Sequence, residues 1–326
     1  MAVSISTAPR TVKKAATLTL KRRARWGEAI GEAAVKIVAL TSIASVVLIL
    51  IFVGKEALPV LTSSELHKEL TFGGMFRPSA AGYVWQPVSD VPKYNIVPLF
   101  VGTLKVTLVS LFVAVPLSVA AAVFVAEFAG RTAREIVKPA IELLAGIPSV
   151  VVGFFALVVL ATWVQSIFGT EHRLNTLVAG IALSFAIMPV VFSVSEDALR
   201  AVPDSYRQAA IALGSTKSQV VLRVVLPAAA PGIAAAVVLG FGRAIGETMI
   251  VILATGNAAL LDFDLGHSVR TVTATIAQEL GEVVVGSAHY HLLFFLGALL
   301  FLSTLVVNAG GERIVSGMRR KLGGGS

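Results

Sequence analysis

LFVGTLKVTLVSLFVAVPLSVAAAVFVA, residues 99–126, carries a single charged side chain, Lys105. A helix needs about 20 apolar residues to cross about 30 Å of hydrocarbon, and this stretch is long enough. Five more segments read the same way: 33–54, 141–165, 177–195, 231–255 and 292–308. The last is short (LLFFLGALLFLSTLVVN) but dominated by Leu, Phe and Val. Pro116, Pro148, Gly153 and Pro189 interrupt the pattern, which spanning helices tolerate when neighbours re-satisfy the freed backbone groups. No series of alternating ten-residue segments supports a barrel. The fold class expected is an all-α integral membrane protein with six transmembrane helices.

Composition agrees with that reading. Of 326 residues, 56% are hydrophobic and 14% charged, about half the charged share of a soluble protein, and the mean hydropathy is +0.85. The absence of cysteine excludes a disulfide scaffold, a thiolate metal site and a cysteine nucleophile. The net charge of +8 is not a nucleic-acid footprint, because aromatics are few and the body is oily.

The positions of Lys and Arg set the expected orientation. Arg10, Lys13, Lys14, Lys21, Arg22, Arg23 and Arg25 precede the first span. Arg131, Arg134 and Lys138 lie in loop 127–140, and Arg200, Arg207, Lys217 and Arg223 in loop 196–230. Arg313, Arg319, Arg320 and Lys321 close the chain. The alternate loops 55–98, 166–176 and 256–291 are poorer in such residues. Both termini are therefore expected in the cytoplasm, with the basic residues also meeting anionic lipid. The domains expected are a basic cytoplasmic arm (1–32), a first span (33–54), a long extracytoplasmic loop (55–98), a helical body (99–308) and a cytoplasmic tail (309–326). The arm has neither the apolar core nor the cleavage site of a signal peptide, and the final GGGS reads as a linker.

Loop 196–230 is long and polar. Asp204 is expected to cap a helix through SYRQAAIAL that stops at Gly214, and Ser215 a second helix, TKSQVVLRVV, that ends at Pro227. Ala209, Ala210 and Leu213 give a small apolar face suited to a partner's groove or to lying on lipid. Gln208, Ala209, Ala210, Gly214, Leu226 and Pro227 stand at telling intervals.

The segment GFGRAIGETMIV places Arg243 at the midpoint of the fifth span and Glu247 four residues later, expected on one helix face. An embedded charge costs about 2.5–3.5 kcal/mol, so the two should pair or face a cavity. One reading is a structural ion pair. The other is an anion pathway, since a guanidinium fork matches oxyanion geometry. Gly240, Gly242 and Gly246 thin the helix around them. In AGIPSVVVGF, Pro148 is expected to kink the third span, and Ser149 offers a hydroxyl beside freed N–H groups. Asp262, Asp264, His267, Glu279, Glu282, His289 and His291 have no tight ligand spacing and read as a solvated face, with no metal site. No GxxxxGK[ST] occurs, so any ATP is bound elsewhere.

Gln208-Ala209-Ala210, Gly214 and Leu226-Pro227 resemble the EAA loop of ABC importer permeases, with Gln208 in place of Glu and Val224 in place of Ile. LLAGIPSVVVGF, ALRAVPDSYRQAAIALGSTKSQVVLRVVLPAAAPGI and GRAIGETMIVILATGN are similar to segments of the phosphate-specific permeases. VWQP, ATGN and HYHLLFFLGALLFLSTLVVN point to the PstC branch of that family. The resemblance covers most of residues 80–308. It implies a MetI-like permease core over 99–308, with loop 196–230 as the coupling element that docks an ATPase. It also implies a PstA-like sister permease as heterodimer partner, a PstB-like ATPase dimer that uses ATP and Mg, and a PstS-like phosphate-binding protein. The chain itself is expected to bind no cofactor and to be no enzyme, sitting in the cytoplasmic membrane of a bacterium or archaeon. Arg243 and Glu247 match the family's membrane-embedded charged pair implicated in phosphate passage. Other classes kept open are a permease for sulfate, molybdate or another oxyanion, a secondary anion transporter, and a membrane scaffold or sensor. No inverted sequence repeat favours the secondary transporter.

Overall fold

The computed structural model describes residues 26–70, 72–79 and 82–322. Most of the basic arm and the final GGGS lie outside the described residues. The chain divides into two units, residues 1–50 and 51–326. In the first, the described residues form the start of one helix, Trp26–Ala57, on which Lys36 Nζ donates to Glu32 Oε1 at 2.6 Å.

Among the described residues, six helical stretches are long and apolar enough to span a bilayer: Ile30–Thr62, Val97–Phe128, Ser149–Phe168, Thr176–Arg200, Lys217–Ile245 and Ala288–Arg320. Between the first two lie short helical turns, Leu66–Glu69 and Phe72–Phe76, and an antiparallel ribbon pairing Trp85 with Tyr94 and Gln86 with Lys93. An amphipathic helix, Arg131–Leu144, joins the second span to the third.

Three features depart from the sequence reading. The fifth span begins at Lys217, runs without interruption to Ile245 and breaks over residues 246–248; a separate short helix, Met249–Ala254, follows. Pro227 therefore ends nothing. A π-helical turn at Val221–Val225 takes up the missing N–H of Pro227, and the helix continues beyond it. Pro148 does not kink the third span, but precedes it with ψ 135° as the N-cap of Ser149–Phe155. The last helix continues to Leu322, so the described part of the tail is helical.

Among the described residues of the larger unit, packing has three apolar centres. The main one gathers Val106, Ala114, Leu183, Ile187, Val191, Ala236 and Ile250 from the middle of the bundle. A second, around Trp85, Leu99, Val272, Leu292 and Leu296, closes the end opposite loop 196–230. A third, around Val125, Phe192, Leu199, Ala210, Val220 and Val225, seats that loop. Between helices in lipid there is little hydrophobic driving force, so close backbone approach at small residues matters. Gly180 supplies such a crossing: a Cβ there would lie 2.6 Å from Val109 Cβ, on the neighbouring second span. Gly311 does the same against Val238 between the sixth and fifth.

Gly180→Val is expected to cost about 1–3 kcal/mol by overpacking this crossing. Gly54→Ala, where nothing lies within 4 Å, should be neutral or slightly stabilising. Thermal unfolding of the detergent-solubilised protein checks both; equal midpoints would contradict the packing described.

Candidate functional site

Arg243 lies in the last turn of the Lys217–Ile245 helix rather than at mid-helix. The unsatisfied carbonyls of a helix C-terminus carry partial negative charge, which favours a cation there. Its side chain is exposed, and among the described residues no carboxylate lies within ion-pair distance. The expected pairing with Glu247 is therefore absent. The helix breaks between them, which destroys the one-turn spacing that a continuous helix would give. Glu247 turns the other way and caps the next helix. Its Oε1 accepts from the N–H groups of Thr248 and Met249 at 3.1 Å and of Ile250 at 3.5 Å. Thr273 Oγ1 donates to the Glu247 carbonyl at 2.8 Å, fixing the break against the helix Val272–Glu279.

Ser149 is the first residue of its helix and is half-buried. One turn later, Gly153 packs tightly on Met249 and Ile250: a Cβ there would lie 3.1 Å from the Met249 carbonyl. The third span is thereby brought to the short helix that Glu247 caps. Beside the break, the fifth and sixth spans enclose a groove of about 920 Å³ lined by Gly242, Gly246, Asn308, Glu312, Ser316 and Arg319 among others. The sequence placed Asn308 at the end of the last span and Arg319 in the tail, with no hint that the two line one groove.

Loop 196–230 forms two helices about Gly214. The first, Asp204–Ala212, begins after Pro203, so Asp204 is its first residue and not its cap. Gly214 has φ +82°, and Ser215 N bonds to Ala210 O at 3.1 Å while Gly214 N bonds to Ile211 O at 2.9 Å. These paired bonds form a Schellman motif, which needs the left-handed residue that Gly supplies. The second helix is capped by Thr216, not Ser215, through a capping box with Gln219. The expected single apolar face is split. Ala210 turns inward at 8% exposed, whereas Ile211 and Leu213 stand 60% and 87% exposed. Gln208, Ala209 and Pro227 are exposed and Leu226 is half-buried.

Arg207 fastens the loop to the bundle. Its Nη2 donates to Glu127 Oε1 at 2.7 Å and to Leu199 O at 2.9 Å, and its Nη1 to Val202 O at 2.6 Å. The nearby fully buried Glu196 is held by Arg200 and by Lys138, whose Nζ lies at 2.8 Å. Arg134 donates to the carbonyls of Val125 and Ala126.

At the other end, the residues expected to form one solvated face divide. Glu279 is engaged on three sides: Arg270 Nη1 donates at 2.8 Å, His289 Nε2 lies at 2.9 Å and Trp85 Nε1 at 3.1 Å. His291 meets the Glu56 carbonyl at 2.8 Å. Lys105, named in the sequence only as an embedded charge, donates to the carbonyls of Asp262 at 2.8 Å and Asp264 at 2.6 Å. The Asp262 carboxylate hydrogen-bonds His267 Nδ1, which holds the carboxylate below its ordinary range and raises the imidazole above its own. The favourable charge pairing is lost as pH falls through the lowered Asp262 value or rises through the raised His267 value. Glu282 stays exposed.

The family described as binding-protein-dependent transport system inner membrane component matches residues 114–320. The chain belongs to that family. It is a membrane component of ABC-type importers, multi-pass and of MetI-like fold. Among curated relatives, the phosphate transport system permease protein PstC of Mesorhizobium japonicum is 33% identical over 288 residues, covering 82% of this chain and 86% of that protein. A probable ABC transporter permease, YqgH of Bacillus subtilis, is 37% identical over 224 residues, covering 68% and 72%. A solved bacterial ABC transporter involved in import of the acidic polysaccharide alginate superposes with TM-score 0.60 at 15% identity, covering 89% of this chain and 98% of that one. The inward-facing MetNI methionine transporter superposes with TM-score 0.54 at 20% identity, covering 68% and 95%. These two likenesses concern the fold.

Since Glu247 acts here as a hydrogen-bond acceptor, Glu247→Gln retains a carbonyl oxygen and should leave the unfolding midpoint within a degree or two. Glu247→Ala should lose about 0.5–2 kcal/mol. An equal, large loss in both variants would point instead to an ion pair.

Proposed function

We propose that this chain is a transmembrane permease subunit of an ATP-driven importer of inorganic phosphate. The observation that carries the proposal is Arg243, an exposed guanidinium without an ionic partner among the described residues, at the end of an apolar helix. A fork of donors left unpaired in such a setting suits a passing oxyanion. Similarity to relatives named for phosphate transport supports phosphate as that anion. Ser149, at the start of the helix whose Gly153 packs on Met249, and the Glu247-capped break complete the pathway. A site of this kind must bind weakly, because tight binding prevents release.

The chain pairs with a PstA-like sister permease in a cytoplasmic membrane, both termini on the cytoplasmic side as its basic loops dictate. Loop 196–230 then faces the cytoplasm and docks a PstB-like ATPase dimer, which binds the ATP and Mg that this chain does not. The opposite face receives a PstS-like phosphate-binding protein. Exposed Leu213 and Ile211 enter the ATPase, while Ala210 and Arg207 keep the loop attached to its own bundle. The second loop helix is the beginning of the same helix that ends beside Arg243, about 44 Å away at 1.5 Å per residue. Closure of the ATPase dimer therefore moves a rigid rod whose far end is the break at residues 246–248.

Reconstituted with its partner subunits, the protein should take up radiolabelled phosphate in an ATP-dependent manner, with sulfate a poor competitor. Arg243→Gln should abolish uptake while the complex still assembles. Uptake of sulfate in preference to phosphate, or full flux in the variant, would overturn the assignment. Leu213→Glu should lower recovery of the ATPase with the permease at least several-fold; undiminished recovery would place docking elsewhere.

A further inference from the structure

Two loops at the end of the bundle opposite residues 196–230 are locked side by side. One joins the third span to the fourth, the other the fifth to the sixth. Leu177 N donates to Leu265 O at 3.1 Å, Thr176 N to His267 O at 3.2 Å, and Ser268 Oγ to Leu174 O at 2.6 Å. Asn175 Nδ2 donates to His172 O at 2.7 Å, and Asp264 Oδ1 accepts from Gly266 N at 2.7 Å. Lys105 pins the second loop from below through the Asp262 and Asp264 carbonyls.

This platform presents Glu171, His172 and His267 with one ligand atom each, all within 4.8 Å of one another. His267 Nε2 lies 3.5 Å from Glu171 Oε2, and the His172 and His267 rings meet edge to face with centroids 5.1 Å apart. Behind the cluster, the Asp262 carboxylate bonds His267 Nδ1. In neutral His267 that bond puts the proton on Nδ1 and leaves the Nε2 lone pair facing the Glu171 carboxylate. With His267 neutral, that nitrogen and the carboxylate oxygen can both serve as donors to one cation, and His172 supplies a third.

We infer that Glu171, His172 and His267 form a zinc site, with Asp262 orienting His267 from behind. Two imidazole nitrogens and a carboxylate oxygen suit Zn²⁺, a borderline-soft ion that accepts nitrogen and oxygen together. Tetrahedral bonds of about 2.0–2.1 Å set ligand atoms roughly 3.4 Å apart, close to the His267–Glu171 separation. Rotation of the exposed side chains of Glu171 and His172 closes the remainder. A carboxylate hydrogen-bonded to the far nitrogen of a ligating His is the usual outer-shell partner, fixing tautomer and ring direction. The fourth position is left to solvent. Binding clips the two loops together, and the site is the same whichever anion the bundle carries.

The test uses the full chain in its purified complex, stripped with chelator and titrated with Co²⁺, whose visible absorption reports a tetrahedral nitrogen and oxygen environment. Wild type should show a saturable spectrum of one equivalent per chain, displaced by Zn²⁺. His172→Ala and Glu171→Gln should weaken Co²⁺ binding at least tenfold. Both side chains are exposed, so the variants assemble. His67→Ala, whose ring bonds the Val60 carbonyl away from this cluster, should bind as wild type does. No wild-type spectrum, or one unchanged in His172→Ala and Glu171→Gln, overturns the site.

Discussion

A charge taken to bilayer depth costs about 2.5–3.5 kcal/mol unless something answers it, and this constraint sorts the embedded charges of the chain. Glu196, fully buried, is held between Lys138 and Arg200. Glu127 is met by Arg207, and Lys105 by two backbone carbonyls. Glu247 is answered by three backbone N–H groups at a helix start. Arg243 is treated differently. It has the negative end of its own helix and no carboxylate partner among the described residues.

The break after Ile245 makes this arrangement possible. In a continuous helix Arg243 and Glu247 would sit a turn apart and quench one another. Interrupting the helix separates them: the acid is spent on capping Met249–Ala254, and the base is released to the surface of the chain. The same helix begins at the Gly214 turn, so the loop held by Arg207 and the open guanidinium are two ends of one rod. Close approaches at Gly232, against Ala198 of the fourth span, and at Gly311, against Val238, bring neighbouring helices tightly onto that rod.

Much of this was legible in the residues. Long apolar runs are direct evidence of helices in lipid, because the length needed to cross is fixed by the bilayer. Gly214 was legible because a helix end requires a left-handed residue. What a single sequence conceals is direction and partnership. Ala210 and Leu213 look alike on a helical projection, yet Ala210 joins the buried cluster that holds Val220 and Phe192 while Leu213 stands exposed. Pro227 reads as a stop, but a π turn absorbs it. Pro148 reads as a kink, but its extended backbone places it before the helix. Glu279, His289 and Arg270 lie far apart from Trp85 in sequence, and their network exists only after the long loop folds over the bundle.

The chain has no cysteine, which allows the central claim to be read at a single introduced thiol. Gly246→Cys, placed beside Arg243 in the reconstituted complex, can be labelled with a charged, membrane-impermeant thiol reagent. The account predicts that it reacts, that phosphate slows the reaction, and that adding Arg243→Gln removes this protection. A thiol that does not react, or reacts at the same rate with and without phosphate, would contradict an anion path along Arg243.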